Sequence, residues 1–173
     1  MEHAHVERLT AIWSPTLFIY YYVHVSRSVE EVVRALTDRP GEMTAWATLA
    51  YEGSDELRAR VYPGLGMPTR EVEVVVGRVT RRQSAVHIPI SWKASGSAFL
   101  FPTLEADLIV EPVGEGLTQV TIRGSYEPPL GPVGRFLDRA LLHRLAEACV
   151  KNFMDRLGEA ITVAAPGEPI PTT

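Results

Sequence analysis

Tyr21, Trp92 and Tyr126 each join a large apolar body to one polar atom, and each falls on the apolar side of an alternating pattern. A hydroxyl or indole N–H held on such a face needs a partner, which is backbone, water or the carbonyl of a bound small molecule. Cys149 sits within an apolar helical stripe and no base is placed to activate it, so it reads as a buried structural thiol. His3 and His5 form the one close pair of metal-ligating type, too few for a metal centre. Neither a G-x-S-x-G turn nor a phosphate loop is present, and Gly64-Leu-Gly66 lacks the third glycine and following helix of a dinucleotide fingerprint. No carboxylate or histidine is placed as a general base. The expectation is therefore no catalytic residue, no metal and no cofactor, with the chemistry of the chain lying in what it can enclose.

Those three side chains are positioned by elements whose periods are plain. Leu17 to Val25 is aromatic and β-branched, which predicts a strand. Ser28 with Glu31 forms a capping box before Val29, Val32, Val33 and Leu36, predicting a helix to Thr37. After the break at residues 38–41, Trp46, Leu49 and Tyr51 suggest a second short helix, and Leu57, Ala59 and Val61 alternate as a strand. Arg70 to Val79 alternates as one strand, with residues 80–83 as its turn. The next strand carries Val86, Ile88, Ile90 and Trp92 on its apolar face and His87 opposite, with Pro89 implying an edge or a bulge. Leu104, Ala106, Leu108 and Val110 alternate with Asp107 and its neighbours; after the Gly114-Glu115-Gly116 turn, Val120, Ile122, Gly124 and Tyr126 alternate with Arg123 and its neighbours. One apolar and one polar face per strand is the pattern of an antiparallel sheet covered on one side.

The cover is a long closing helix, opened by Pro132 and reaching about Val163. At 100° per residue Leu141, Leu142, Leu145, Cys149 and Phe153 fall together, with His143, Glu147, Lys151 and Met154 opposite and Gly158 weakening the last turns. A helix across the open side of a curved sheet encloses a cavity. Residues 1–16 read as an N-terminal extension, 17–163 as one domain and 164–173 as a disordered tail.

Composition narrows the partners. The formal net charge is −4, with 17 Lys and Arg scattered among 21 acids, which excludes a nucleic-acid footprint. No apolar run reaches the length of a membrane span, so no stable membrane insertion is expected. One cysteine and a start without the cationic and apolar parts of a signal peptide make a cytoplasmic location the expectation.

The stretch from Val23 to Asp38, with Trp46 shortly after, and the stretch from Leu117 to Gly124 running through Pro128-Pro129 into the last helix, resemble the helix-grip superfamily of START lipid-transfer domains, polyketide cyclases and the birch-pollen allergen. The resemblance covers residues 17–163. It implies an α+β fold in which a curved antiparallel sheet of about six or seven strands wraps a long C-terminal helix, with one or two short helices after the first strand. It also implies a cavity for a hydrophobic or amphipathic small molecule, lipid-like or polyketide-like.

The expected ligand wall is Tyr21, Val74, Val76, Ile88, Ile90, Trp92, Leu104, Leu108, Ile122 and Tyr126 from the sheet, and Leu142, Leu145, Cys149 and Phe153 from the helix. Binding is favoured over the alternative, an aromatase/cyclase-like enzyme in the same cavity. A third reading is a protein–protein adaptor. On the first strand Phe18, Tyr20, Tyr22 and His24 face away from Tyr21 and are too apolar to be left bare, so either Ala11, Ile12 and Trp13 fold back over them or a second copy covers them in a homodimer. Arg78, Arg81 and Arg82 read as a solvated hairpin end offset by Glu71 and Glu73.

Overall fold

A computed structural model describes residues 17–38, 40–52, 72–94, 103–127 and 139–163. In chain order these form β1 (Leu17–Val25), α1 (Val29–Thr37), α2 (Pro40–Glu52), β2 (Val72–Val76), β3 (Thr80–Arg82), β4 (Ala85–Ala94), β5 (Thr103–Gly114), β6 (Leu117–Glu127) and α3 (Arg139–Val163). The six strands make one antiparallel sheet in the order β1-β6-β5-β4-β2, with β3 also on β4. This is the helix-grip arrangement, a curved sheet closed by its C-terminal helix. The expected strand at Leu57 to Val61, the helix onset at Pro132 and residues Ala11 to Trp13 lie outside the described residues.

Period-2 alternation and an unbroken register together turn four inward rows into a core. Leu17, Tyr126, Leu104, Trp92 and Val74 pair in sequence across five strands, and all five are buried. Tyr21, Ile122, Leu108 and Ile88 form a parallel row, as do Val23, Val120, Val110 and Val86. Between them runs Ile19, Gly124, Ala106, Ile90 and Val76, whose middle members are small. A Cβ on Gly124 would lie 2.2 Å from the Glu105 carbonyl oxygen and 2.4 Å from the Ala106 Cβ. That approach is far inside normal contact, and it marks where the sheet folds sharply toward its apolar face.

The first helix starts as the sequence requires. Ser28 caps it: the Glu31 N–H donates to Ser28 Oγ at 3.4 Å, and the Ser28 N–H donates to Glu31 Oε2 at 2.9 Å. Met43, Trp46, Ala47 and Ala50 are buried along α2 at i, i+3, i+4 and i+7, the spacing of one helical face. This helix packs on β2 and α3, and the Val74 N–H donates to Thr44 Oγ1 at 3.2 Å. At the other end Thr118 donates to the Arg27 carbonyl at 2.7 Å, and Arg27 donates to the Thr162 carbonyl at 3.3 Å, tying β6, the β1–α1 turn and the end of α3 together.

Three expectations need correction. The strand expected over Arg70 to Val79 stops at Val76, and residues 80–82 are not a turn but the strand β3, paired to residues 85–87. Pro89 supplies the reason. Its carbonyl accepts from the Gly77 N–H at 2.7 Å, so its N–H position faces the same neighbour and has no hydrogen to give. The partner strand is interrupted opposite it, and the turn moves to Gln83, with φ of 55°. Met154, expected on the outer side of the last helix, is fully buried, because the packed stripe of α3 is wider than a single seam and includes Ala146, Val150, Met154, Leu157 and Ile161. Glu73 does not offset the arginines: it pairs with Lys93 while Arg81 pairs with Val86, seven positions along β4 or roughly 23 Å away. Arg81 instead meets Glu30 at 3.8 Å. Glu71 lies outside the described residues.

Three substitutions test these contacts through stability. Gly124→Ala should destabilise by about 3 kcal/mol in urea denaturation, because the new methyl meets backbone that cannot move aside. Gly158→Ala, whose Cβ would meet only the Val23 side chain at 3.3 Å, should stay within about 1 kcal/mol of the parent, the gain in helix propensity offsetting the contact. Ser28→Ala should cost about 1 kcal/mol. The Ser28 hydrogen bonds hold the Glu31 carboxyl below its ordinary 4.5, so its contribution is present above that pH and fades as pH falls below it. Thermal melts of Ser28→Ala should accordingly show a shallower acid decline than the parent.

Candidate functional site

Most of the residues expected to wall a cavity belong to one packed core or lie against it. Ile88, Leu104, Leu108, Ile122 and Phe153 are fully buried, while Val74, Ile90, Trp92, Tyr126 and Cys149 retain only slight exposure. Val76 and Tyr21 are half-buried, and the side chains of Leu142 and Leu145 lie outside the described residues. Trp92 meets Phe153 edge to face, ring centroids 5.2 Å apart at 81°, so an aromatic contact joins β4 to α3 across the middle of the core. His87 and Asp107 are half-buried on the outer face and Arg123 is exposed there, as expected.

A hollow of about 390 Å³ opens beside this core, between β1 and the first half of α3. From the strand it takes Phe18, Ile19, Tyr20 and Tyr21, and from the helix Arg144, Glu147, Ala148, Val150 and Lys151. Ile19 and Val150 are buried and form its floor, with the half-buried Ala148 leaving room above them. The size falls in the range of small-molecule sites, and an apolar floor with a few charged groups at the margin is their usual composition.

The helix residues at this hollow fall on one flank. Arg144, Ala148, Lys151 and Asp155 are spaced i, i+4, i+7 and i+11, and the packed stripe runs beside them. Tyr21 reaches that flank: its hydroxyl donates to Asp155 Oδ1 at 3.1 Å, and Lys151 Nζ donates to Asp155 Oδ2. Tyr21 is thus satisfied by a carboxylate of its own chain. Burial pushes the phenol above its ordinary 10.0, with the bond to Asp155 adding to the effect. The hydrogen bond and charge of Asp155 hold the Lys151 ammonium above its ordinary 10.5. Glu147 meets His143 Nε2 at 3.1 Å.

Asp155, Arg144 and Ala148 were not singled out from the sequence. The signal was present in the i,i+4 spacing of Lys151 and Asp155 beside an apolar stripe, but it becomes a site only when the strand that carries Tyr21 is known to be the neighbour. Among the described residues no three His, Cys, Asp or Glu side chains cluster to hold a metal, and His3 and His5 lie outside them.

The outer face of β1 is aromatic and exposed. Phe18, Tyr20 and Tyr22 are exposed at 66%, 58% and 50%, which leaves a contiguous aromatic strip on a strand edge. Beneath it His24 shares a hydrogen bond with Gln119, whose amide also donates to Glu111 and Thr121. None of the described helices is long and apolar enough to cross a membrane.

Solved structures with a similar chain path include a hypothetical protein from Helicobacter pylori, 13% identical, the match covering 83% of this chain and 86% of that one at a TM-score of 0.45. An aromatase/cyclase from a Streptomyces species is 11% identical, with 86% and 97% covered and a TM-score of 0.38. A norcoclaurine synthase from Thalictrum flavum, as a point mutant with a transition-state analogue, is 13% identical, with 83% and 98% covered and a TM-score of 0.38. No curated protein matches the chain. Residues 19–162 match the family model described as polyketide cyclase/dehydrase and lipid transport, and the chain belongs to that family.

Proposed function

We propose that the protein binds a hydrophobic or amphipathic small molecule, lipid-like or polyketide-like, between the sheet and α3, with the hollow along β1 as its seat. The observation that carries this is the apolar floor of Ile19 and Val150 under a 390 Å³ opening, with the exposed Arg144, Glu147 and Lys151 at its margin. Of the side chains expected to line a cavity, Tyr21 borders this hollow, and the buried Ile88, Leu104, Leu108, Ile122 and Phe153 pack in the core beside it.

A second reading, an aromatase/cyclase-like enzyme, draws support from the Tyr21, Asp155 and Lys151 chain of hydrogen bonds, which places a phenol and an ammonium beside the hollow. The direction of their titration weighs against it. A general acid or base works best with its pKa near the operating pH, and both groups are pushed upward, away from neutrality. Binding therefore stands first.

Magnitudes limit what the hollow holds unaided. About ten buried methylenes give roughly 8 kcal/mol, and association costs at least about 4. The remaining ~4 kcal/mol corresponds to a Kd of about 1 mM. An apolar tail alone is held weakly, and useful affinity calls for a polar anchor.

Ala148→Trp fills the hollow from a half-buried position. Titration with a neutral environment-sensitive dye should show at least about tenfold weaker binding in that variant with an unchanged melting temperature, a loss of about 1.4 kcal/mol. Equal binding by parent and variant would place the ligand elsewhere. Tyr21→Phe should leave dye affinity within about twofold and cost about 1 kcal/mol of stability. A phenol with a raised pKa contributes below its unfolded value of 10.0 and loses that contribution as pH climbs through the folded value, so melts of Tyr21→Phe should fall less steeply above pH 10 than those of the parent. Loss of a measurable cyclisation activity in Tyr21→Phe, with binding intact, would instead favour the enzyme.

A further inference from the structure

The charges around the hollow are unevenly committed. Lys151 is held by Asp155, which also accepts from Tyr21, and Glu147 is held by His143. Among the described residues Arg144 has no such partner. Positions four residues to either side of Arg144 are Ala148 and Ala140, so the helix offers no acid at i±4, and Glu147 at i+3 makes its contact with His143. No described side chain lies within ion-pair distance of Arg144. Its exposed guanidinium lines the same hollow as Ile19, Ala148 and Val150.

We propose that this hollow is a site for an anionic amphiphile, with a carboxylate head on Arg144 and an alkyl or aryl tail over Ile19 and Val150, a proposal that rests on the binding reading above. A guanidinium presents two parallel N–H donors to a carboxylate, a geometry an ammonium does not reproduce. The neighbouring charges reinforce the choice of head. Lys151 carries a firmly protonated ammonium, and its counter-ion Asp155 is turned toward both Lys151 and Tyr21. A cationic head would have to displace His143 from Glu147 or Lys151 from Asp155, whereas an anionic head displaces nothing.

The test compares dodecanoate with dodecanol, which share a tail and differ in charge, by calorimetric titration of the full chain at neutral pH. The parent should bind dodecanoate at least about tenfold tighter than dodecanol, as one charge-assisted contact allows. Arg144→Gln should abolish that preference while leaving dodecanol affinity as it was, and Arg144→Lys should restore part of it. Raising ionic strength from about 0.1 M to about 1 M shortens the screening length from ~10 to ~3 Å and should weaken dodecanoate selectively. Equal affinity for acid and alcohol in the parent, or a preference that survives Arg144→Gln, overturns the anionic head while leaving the apolar seat standing. Failure of both probes to bind overturns the seat and the head together.

Discussion

Gly124 lies so close to the Glu105 carbonyl that no side chain fits between them, and the curvature of the sheet depends on that contact. A flat sheet of six strands would present its apolar rows as a plane, which one helix cannot cover. Folded at the Gly124 and Ala106 pair, the same rows turn toward one another, and Trp92 on β4 comes into edge contact with Phe153 on α3. The burial of Leu104, Leu108 and Ile122 follows from that closure, and so does the position of β1, brought along the flank of the helix where the hollow opens.

Much of this was readable in the chain. Alternation placed the inward rows of β4, β5 and β6 residue by residue, and Ser28 with Glu31 marked the start of α1, because both patterns are local and strong. What escaped was decided by neighbours distant in sequence. The width of the packed stripe on α3, and with it the burial of Met154, depends on α2 and β1 meeting the helix from two sides. Gly158 looked like a weak point in a helix; it is buried where α3 comes nearest to Val23, a fact that belongs to the pair of elements and to neither alone. Pro89 gave a correct warning of irregularity, but the irregularity appeared in the strand beside it.

The candidate site shows the same division. Tyr21 was placed on the inner face correctly, yet the partner of its hydroxyl was Asp155, 134 residues away. That partner changes the meaning of the tyrosine. A hydroxyl committed to a carboxylate, itself committed to an ammonium, forms a fixed rail rather than a proton donor in waiting: burial, and then the bond to Asp155, pushes the phenol up, and Asp155 holds the ammonium up. A shaped apolar seat beside rigid polar groups suits recognition, where each group keeps one protonation state throughout.

The interruption at Pro89 has a consequence for how molecules of this protein behave toward each other. Of the described strands, β2 and β3 have β4 as their partner and stand at the far side of the sheet from β1. Had they run on as one strand of eleven residues, with the exposed Val75 in it, they would offer a straight row of backbone donors and acceptors to any passing chain. Broken into five residues and three, with Gly77 drawn in to the Pro89 carbonyl and arginines at positions 78, 81 and 82, that side is short, uneven and charged. A proline that costs the sheet a ladder hydrogen bond thereby denies a passing chain the straight row that β2 and β3 would otherwise offer.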